Sequence, residues 1–91
     1  MDYELDEEKR ALTLRNRSLD FAKAEKVFND SEFTVEDDRE DYGEVRYQTI
    51  GRLGRKTVMV VWTFRAIDRR RIISMRECNV REREIYQARM G

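Results

Sequence analysis

The chain has 91 residues, 19 Lys/Arg against 19 Asp/Glu, and a net charge of zero. It contains one cysteine and no histidine, which excludes an internal disulfide, zinc sites built on histidine, and catalysis by a Ser-His or Cys-His pair. The zero is a cancellation between halves: residues 1–48 hold 8 basic and 15 acidic side chains, residues 49–91 hold 11 and 4.

The length fits one domain with a modest core. No apolar run reaches the roughly 18 residues needed to span a bilayer, and the acidic amino terminus does not resemble a signal peptide, so a cytoplasmic location is expected with no membrane partner. In chain order, Asp6 followed by Glu7 and Glu8 predicts a helix over about 6–17, because a carboxylate can cap the first amides and acidic groups favour the positive end of the helix dipole. Phe21, Ala24, Val27 and Phe28 recur at helical spacing and predict a second helix over about 19–28.

From Phe33 the period becomes two. Phe33 and Val35, then Val45 and Tyr47, alternate with polar residues, and Gly51 and Gly54 mark a turn. Thr57 to Phe64 is apolar on both faces and reads as a central strand. Arg69 to Met75 is a further strand. Segments 45–50, 57–64 and 69–76 leave no room for crossover helices and therefore predict an antiparallel meander. Asn79 and Glu82 have capping-box spacing, which predicts a last helix from Val80 to about Met90. The class is α+β: two amino-terminal helices, an antiparallel sheet of about four strands and a carboxy-terminal helix.

Cys78 falls in a segment that looks buried and is read as a packed thiol rather than a nucleophile. The acidic run Glu36 to Asp41 is not a calcium loop, since Arg39 stands where an oxygen donor belongs and Tyr42 where glycine is required. No metal or other cofactor is expected. Strict alternation puts Arg70, Ile72, Ser74 and Arg76 on one side of their strand and Arg69, Arg71, Ile73 and Met75 on the other. Arg71 and Arg76 then share a site only if one lies at a strand end or a bulge reverses the alternation.

Two blocks, Asp38-Arg39-Glu40-Asp41-Tyr42-Gly43-Glu44-Val45-Arg46 and Arg71-Ile72-Ile73-Ser74-Met75-Arg76 with Glu82 and Tyr86 beyond it, join an opening Tyr3-Glu4-Leu5-Asp6, Lys9 and Leu19-Asp20-Phe21. In order and spacing they resemble the BrnT family of bacterial type II toxins over nearly the whole chain. The resemblance implies a RelE-like fold and a small endoribonuclease toxin that cuts RNA without a metal and inhibits translation. It further implies a BrnA-like ribbon-helix-helix antitoxin as partner, two toxins on one antitoxin dimer, and DNA contact through the antitoxin. The chain departs from the family at Leu5, Thr13, Asn16-Arg17-Ser18, Met75 and Glu77-Cys78; Arg17 stands in place of a family histidine.

Metal-free RNA cleavage requires a deprotonated 2′-hydroxyl, a stabilised phosphorane and a protonated 5′-oxygen. Arginine suits the second task because its planar fork binds phosphate through parallel hydrogen bonds and stays charged; Arg71 and Arg76 are the choices. Lys9, in the Asp-x-x-Lys spacing of the family pattern, is a candidate base or phosphate ligand. Glu82 is a candidate base but is also explained by the capping box. Tyr86 is a proton donor or stacking residue, or else packs on the sheet. Arg65, Arg69, Arg70 and Trp62 are taken as RNA contacts, although Trp62 also fits a core position. Asp38, Asp41 and Ser74 are taken to hold the strand arginines in place, with Asp41-Tyr42-Gly43 also reading as a simple turn. The alternative function is a toxin-like binding module that has lost catalysis yet keeps antitoxin or nucleic-acid binding.

Overall fold

Residues 1–30 and 33–90 are described by a computed structural model. Their elements run β1 (Asp2–Glu4), α1 (Glu7–Arg17), a 3-10 turn (Phe21–Lys23), α2 (Ala24–Asp30), β2 (Phe33–Asp37), β3 (Arg46–Leu53), β4 (Lys56–Ala66), β5 (Arg69–Glu77) and α3 (Val80–Met90). The sheet order is β1-β5-β4-β3-β2. β2 to β5 form the antiparallel meander that their short connections require, and β1 adds to the far edge in parallel with β5, Tyr3 opposite Arg70 and Glu4 opposite Arg71.

Two features correct the sequence reading. The sheet has five strands and is mixed, because three residues at the amino terminus pair with β5; a polar tripeptide is too short to display a period. The expected helix over 19–28 begins instead as the 3-10 turn, capped by the Asp20 carboxylate on the Ala22 amide at 3.0 Å, and becomes α2 only at Ala24.

α1 starts where Asp6 accepts from the amides of Glu8 (3.0 Å) and Lys9 (3.2 Å), and it ends at Ser18 in the left-handed region. It buries no residue. Polar ties hold it instead: Arg10 Nε donates to Asp20 at 2.8 Å, and Arg17 Nη1 donates to the Met75 carbonyl at 2.8 Å. β1 pairs β5 only as far as Arg71, so Arg17 satisfies a carbonyl on the strand's unpaired continuation.

The main core lies between the sheet and α2 with its preceding turn: Leu19, Phe21, Ala24 and Val27 against Val58, Val60, Trp62, Ile72 and Met75. Burying each large side chain contributes about 1.5–3 kcal/mol. The opposite face carries a smaller cluster, Ile50, Met59, Cys78 and Tyr86 with Phe33 beside it, roofed by α3. Burial pushes the Cys78 thiol up to about 11, as befits a packed group.

Ile72 and Met75 belong to the same core although they are three residues apart. The register explains it: Val61 opposes Ser74 while Trp62 opposes Ile72, which leaves Ile73 as the extra residue of a β-bulge. A second irregularity, between Phe64 and Ala66, does the same at Arg65 on β4.

Candidate functional site

The bulge at Ile73 decides which side chains meet. With Ile72 and Met75 both turned to the main core, Arg71, Ser74 and Arg76 all lie on the α3 side, where strict alternation separates Arg71 from Arg76. Rows of partners then cross that face. Phe33, Ile50, Met59 and Arg76 form one row and lie by α3. Val35, Gln48, Val61 and Ser74 form the next, and Asp37 with Arg46 opens a third that ends at Thr63 and Arg71. Beyond the α3 roof the second row mixes Val35 and Val61 with Gln48 and Ser74, and the third carries the guanidinium groups of Arg46 and Arg71.

Glu4 is the hub at the β5 edge. Its carboxylate accepts from Arg71 Nη1, and Arg65 Nε and Arg69 Nε lie 3.6 and 3.8 Å from it. One negative charge among three guanidiniums leaves this corner positive. Arg65 also approaches Glu44 at 3.9 Å, and Glu44 binds Arg46 Nε at 3.0 Å.

At the other end Arg76 is clamped by Glu82, Nη1 and Nη2 donating to the two carboxylate oxygens at 2.7 and 2.6 Å, with longer contacts of 3.4 Å to the Glu77 carbonyl and Met59 sulfur. Glu82 simultaneously completes the capping box: it accepts from the Asn79 amide at 2.9 Å while Asn79 Oδ1 accepts from the Glu82 amide at 2.8 Å. The Arg76 pair, and then the Asn79 amide, hold the Glu82 carboxyl below its ordinary range, and the pair raises Arg76 in turn. Glu82 is thus a poor proton acceptor. Its expected role as a base gives way to that of a fixed partner for Arg76.

A second recess, of about 240 Å³, lies between α1 and β5 and is lined by Lys9, Leu12, Thr13, Asn16, Arg17, Phe21, Ile73 and Ser74. Ser74 lines this recess and, by register, also belongs to the arginine face.

Other expected site residues fall elsewhere. Trp62 is 4 % exposed; its Nε1 donates to Thr49 Oγ1 at 2.8 Å, and Tyr47 stacks on it at 4.9 Å. It is core, without a face for a base, and that expectation is corrected. Arg70 is corrected as well: it lies on the α2 side, its guanidinium 4.3 Å from the rings of both Phe28 and Trp62. Tyr86 is 7 % exposed and packs by Phe33, so it serves the small core rather than a bound base. Asp41 caps its own turn, accepting from the Gly43 amide at 3.0 Å with Gly43 at φ +72°. Asp38 is exposed.

Within the acidic run the carboxylate that holds an arginine is the neighbour of Asp38, Asp37. Its side chain is 0 % exposed and accepts from Arg39 Nε and Nη2, both at 2.7 Å. Tyr42 Oη adds a contact at 3.4 Å. The Arg39 pair holds Asp37 below the ordinary carboxylate range despite burial. The period-two pattern of Phe33 and Val35, extended by one step, places Asp37 on the α3 face; Asp37 and Glu4 were the signals a sequence reading passes over.

Among the described residues no group of three or more His, Cys, Asp or Glu side chains is arranged to hold a metal ion, and no helix is long and apolar enough to cross a membrane.

Comparisons with known proteins bear on this arrangement. No curated protein sequence matches the chain. Among solved structures, the 1.1 Å crystal structure of the Brucella abortus ribonuclease toxin BrnT is similar in fold, with a TM-score of 0.65 and 23 % identity, covering 87 % of this chain and 97 % of that one. Residues 5–82 match the family described as the ribonuclease toxin BrnT of type II toxin–antitoxin systems. That match takes in α1, the loop around Arg39, the whole meander and Glu82, and the chain therefore belongs to the BrnT family of ribonuclease toxins.

Proposed function

We propose that the chain is a metal-independent endoribonuclease that arrests translation and is silenced by a BrnA-like ribbon-helix-helix antitoxin. The observation that carries this reading is the Ile73 bulge, which sets Arg71, Ser74 and Arg76 on one open face. In the proposed reaction the ribose 2′-oxygen attacks phosphorus, the bond from phosphorus to the 5′-oxygen breaks, and a 2′,3′-cyclic phosphate is left. A proton leaves the 2′-hydroxyl and another reaches the 5′-oxygen.

The phosphorane gathers negative charge, and the guanidinium of Arg71 meets it. Only its Nη1 is engaged by Glu4, so its remaining N–H groups are available to phosphate oxygens. Arg76 adds fixed positive charge nearby, and its two 3.4 Å contacts are weak enough to exchange for phosphate. Lys9, across Ser74, supplies the base or a further phosphate contact. Arg65 and Arg69 continue the positive surface along the RNA.

The purified chain incubated with labelled RNA in EDTA should give fragments ending in cyclic phosphate or its hydrolysis product. Folded protein inert toward several RNAs would favour instead a binding-only module, the reading motivated by Arg17, which stands in place of the family histidine and is engaged with the Met75 carbonyl.

A further inference from the structure

Arg39 lies outside the set of strand arginines, yet its construction is that of a presented ligand group. Asp37, the last residue of β2, is turned to the α3 face opposite Arg46 and is wholly buried. A buried carboxylate needs a charged partner. Arg39, two residues on, returns over it through two parallel 2.7 Å bonds from Nε and Nη2. The Asp37 side chain is enclosed and that of Arg39 is 58 % exposed. The pair thus fixes the plane of a guanidinium whose outer edge faces solvent. Of its five N–H donors, two serve Asp37 and Tyr42 Oη lies against the same pair, which leaves the outward-facing donors for a ligand.

Arg76 is the contrasting case. Its Nη atoms both bind Glu82 and each has a second contact. Arg39 therefore has more free donor capacity. By register the Asp37–Arg46 row crosses the same face and ends at Thr63 and Arg71. The same loop turns Tyr42 under Arg46, whose guanidinium lies 4.1 Å from the ring centroid, so a second cation is held in place beside the Asp37–Arg39 pair.

We propose that Arg39 is a substrate-contacting residue that binds a phosphodiester of the RNA backbone beside Arg46, with buried Asp37 as the positioning residue that aims its fork. This rests on the reading of the arginine face as the RNA site. Neither residue follows from the arginine-rich second half of the sequence, because both lie within the acidic run.

The test uses the full chain with a fluorescent 2′-O-methyl RNA, which lacks the attacking hydroxyl, and follows anisotropy over a series of KCl concentrations. A single-strand phosphate contact contributes about 0.7 to the slope of log affinity against log salt. Arg39→Gln, which can still donate to Asp37, should reduce the slope by about that amount and lower kcat/KM on cleavable RNA by on the order of tenfold to a hundredfold. Arg39→Lys should keep the slope and lower kcat/KM by no more than Arg39→Gln does, since it retains charge without the fork. Asp37→Asn should keep the slope and raise KM more than it lowers kcat, a split that a purely structural role would not produce.

Should Arg39→Gln fail to fold by circular dichroism, the double variant Asp37→Asn/Arg39→Gln removes both charges and should show the same loss of slope. Folded Arg39→Gln or double variant with wild-type slope and wild-type cleavage overturns the assignment while leaving the ribonuclease reading intact. A wild-type chain that neither binds nor cuts RNA overturns both.

Discussion

At the scale of single residues, the arginines of β5 divide by face rather than by sequence position. Arg70 is spent on aromatic rings, Arg69 and Arg71 on Glu4, and Arg76 on Glu82. Truncating either proposed catalytic arginine leaves the partner carboxylate with other contacts: Glu4 keeps Arg65 and Arg69, and Glu82 keeps the Asn79 amide. Arg71→Ala and Arg76→Ala should therefore leave the circular dichroism spectrum unchanged. Loss of a donor to the transition state is worth roughly 2.7–4 kcal/mol, so cleavage should fall about a hundredfold or more in each. Wild-type rates in both variants would make these arginines structural. The sequence shows which residue types carry the chemistry but not their direction. One inserted residue, Ile73, reverses the orientation of everything beyond it, and nothing in Arg71-Ile72-Ile73-Ser74-Met75-Arg76 marks which of its residues is the extra one. Asp37 escaped notice because a carboxylate inside a run of acids looks solvated until its burial is known.

Among elements, the helix ends were the most legible parts of the chain, since a cap is local chemistry. Asp6 and the Asn79/Glu82 box both occupy their predicted places. The meander followed from its short connections. What was illegible was anything decided by distant pairing: β1 exists only because β5 offers it an edge, and the 3-10 turn before α2 reflects the Asp20 cap and the ties of Arg10 to it. The α3 cap has a double duty, since the Glu82 that closes it also holds Arg76. Asn79→Ala should cost about 0.5–2 kcal/mol in urea or thermal unfolding. Its effect on cleavage should be small, because the Arg76 pair does not depend on the asparagine side chain. A cleavage loss as large as that of Arg76→Ala would show that the helix start itself sets the arginine.

For the whole molecule, stability should depend on acid. Glu82, Asp37 and Asp20 are all lowered by partnered arginines, Arg76, Arg39 and Arg10 respectively. A carboxyl with a depressed folded pKa stabilises fully above its unfolded value, near 4.5 for Glu82 and 3.8 for the two aspartates, and that contribution fades as pH falls through the folded value. Thermal melts should hold steady above about pH 5 and drop progressively below about 4.5. A midpoint that rises on acidification through that window would contradict these pairings.

Partnership is also a property of the whole surface. The type II family implies an antitoxin. If it covers the arginine face, it competes with RNA for the same charges. Co-expression with a BrnA-like partner followed by light scattering should give two copies of this chain on an antitoxin dimer, and the complex should be inactive toward RNA. A complex that forms but still cuts would place the antitoxin elsewhere.

The parallel seam between β1 and β5 bears on how such a protein is made. Glu4 is synthesised before its guanidinium partners at positions 65, 69 and 71, which come more than sixty residues later. At about 5–20 residues per second this is an interval of about 3 to 13 s. Through that interval the nascent chain holds an unpartnered carboxylate and no strand for β1 to join. A prematurely terminated product ending before β5 thus lacks Arg71 and Arg76 altogether and cannot assemble the proposed cleavage face.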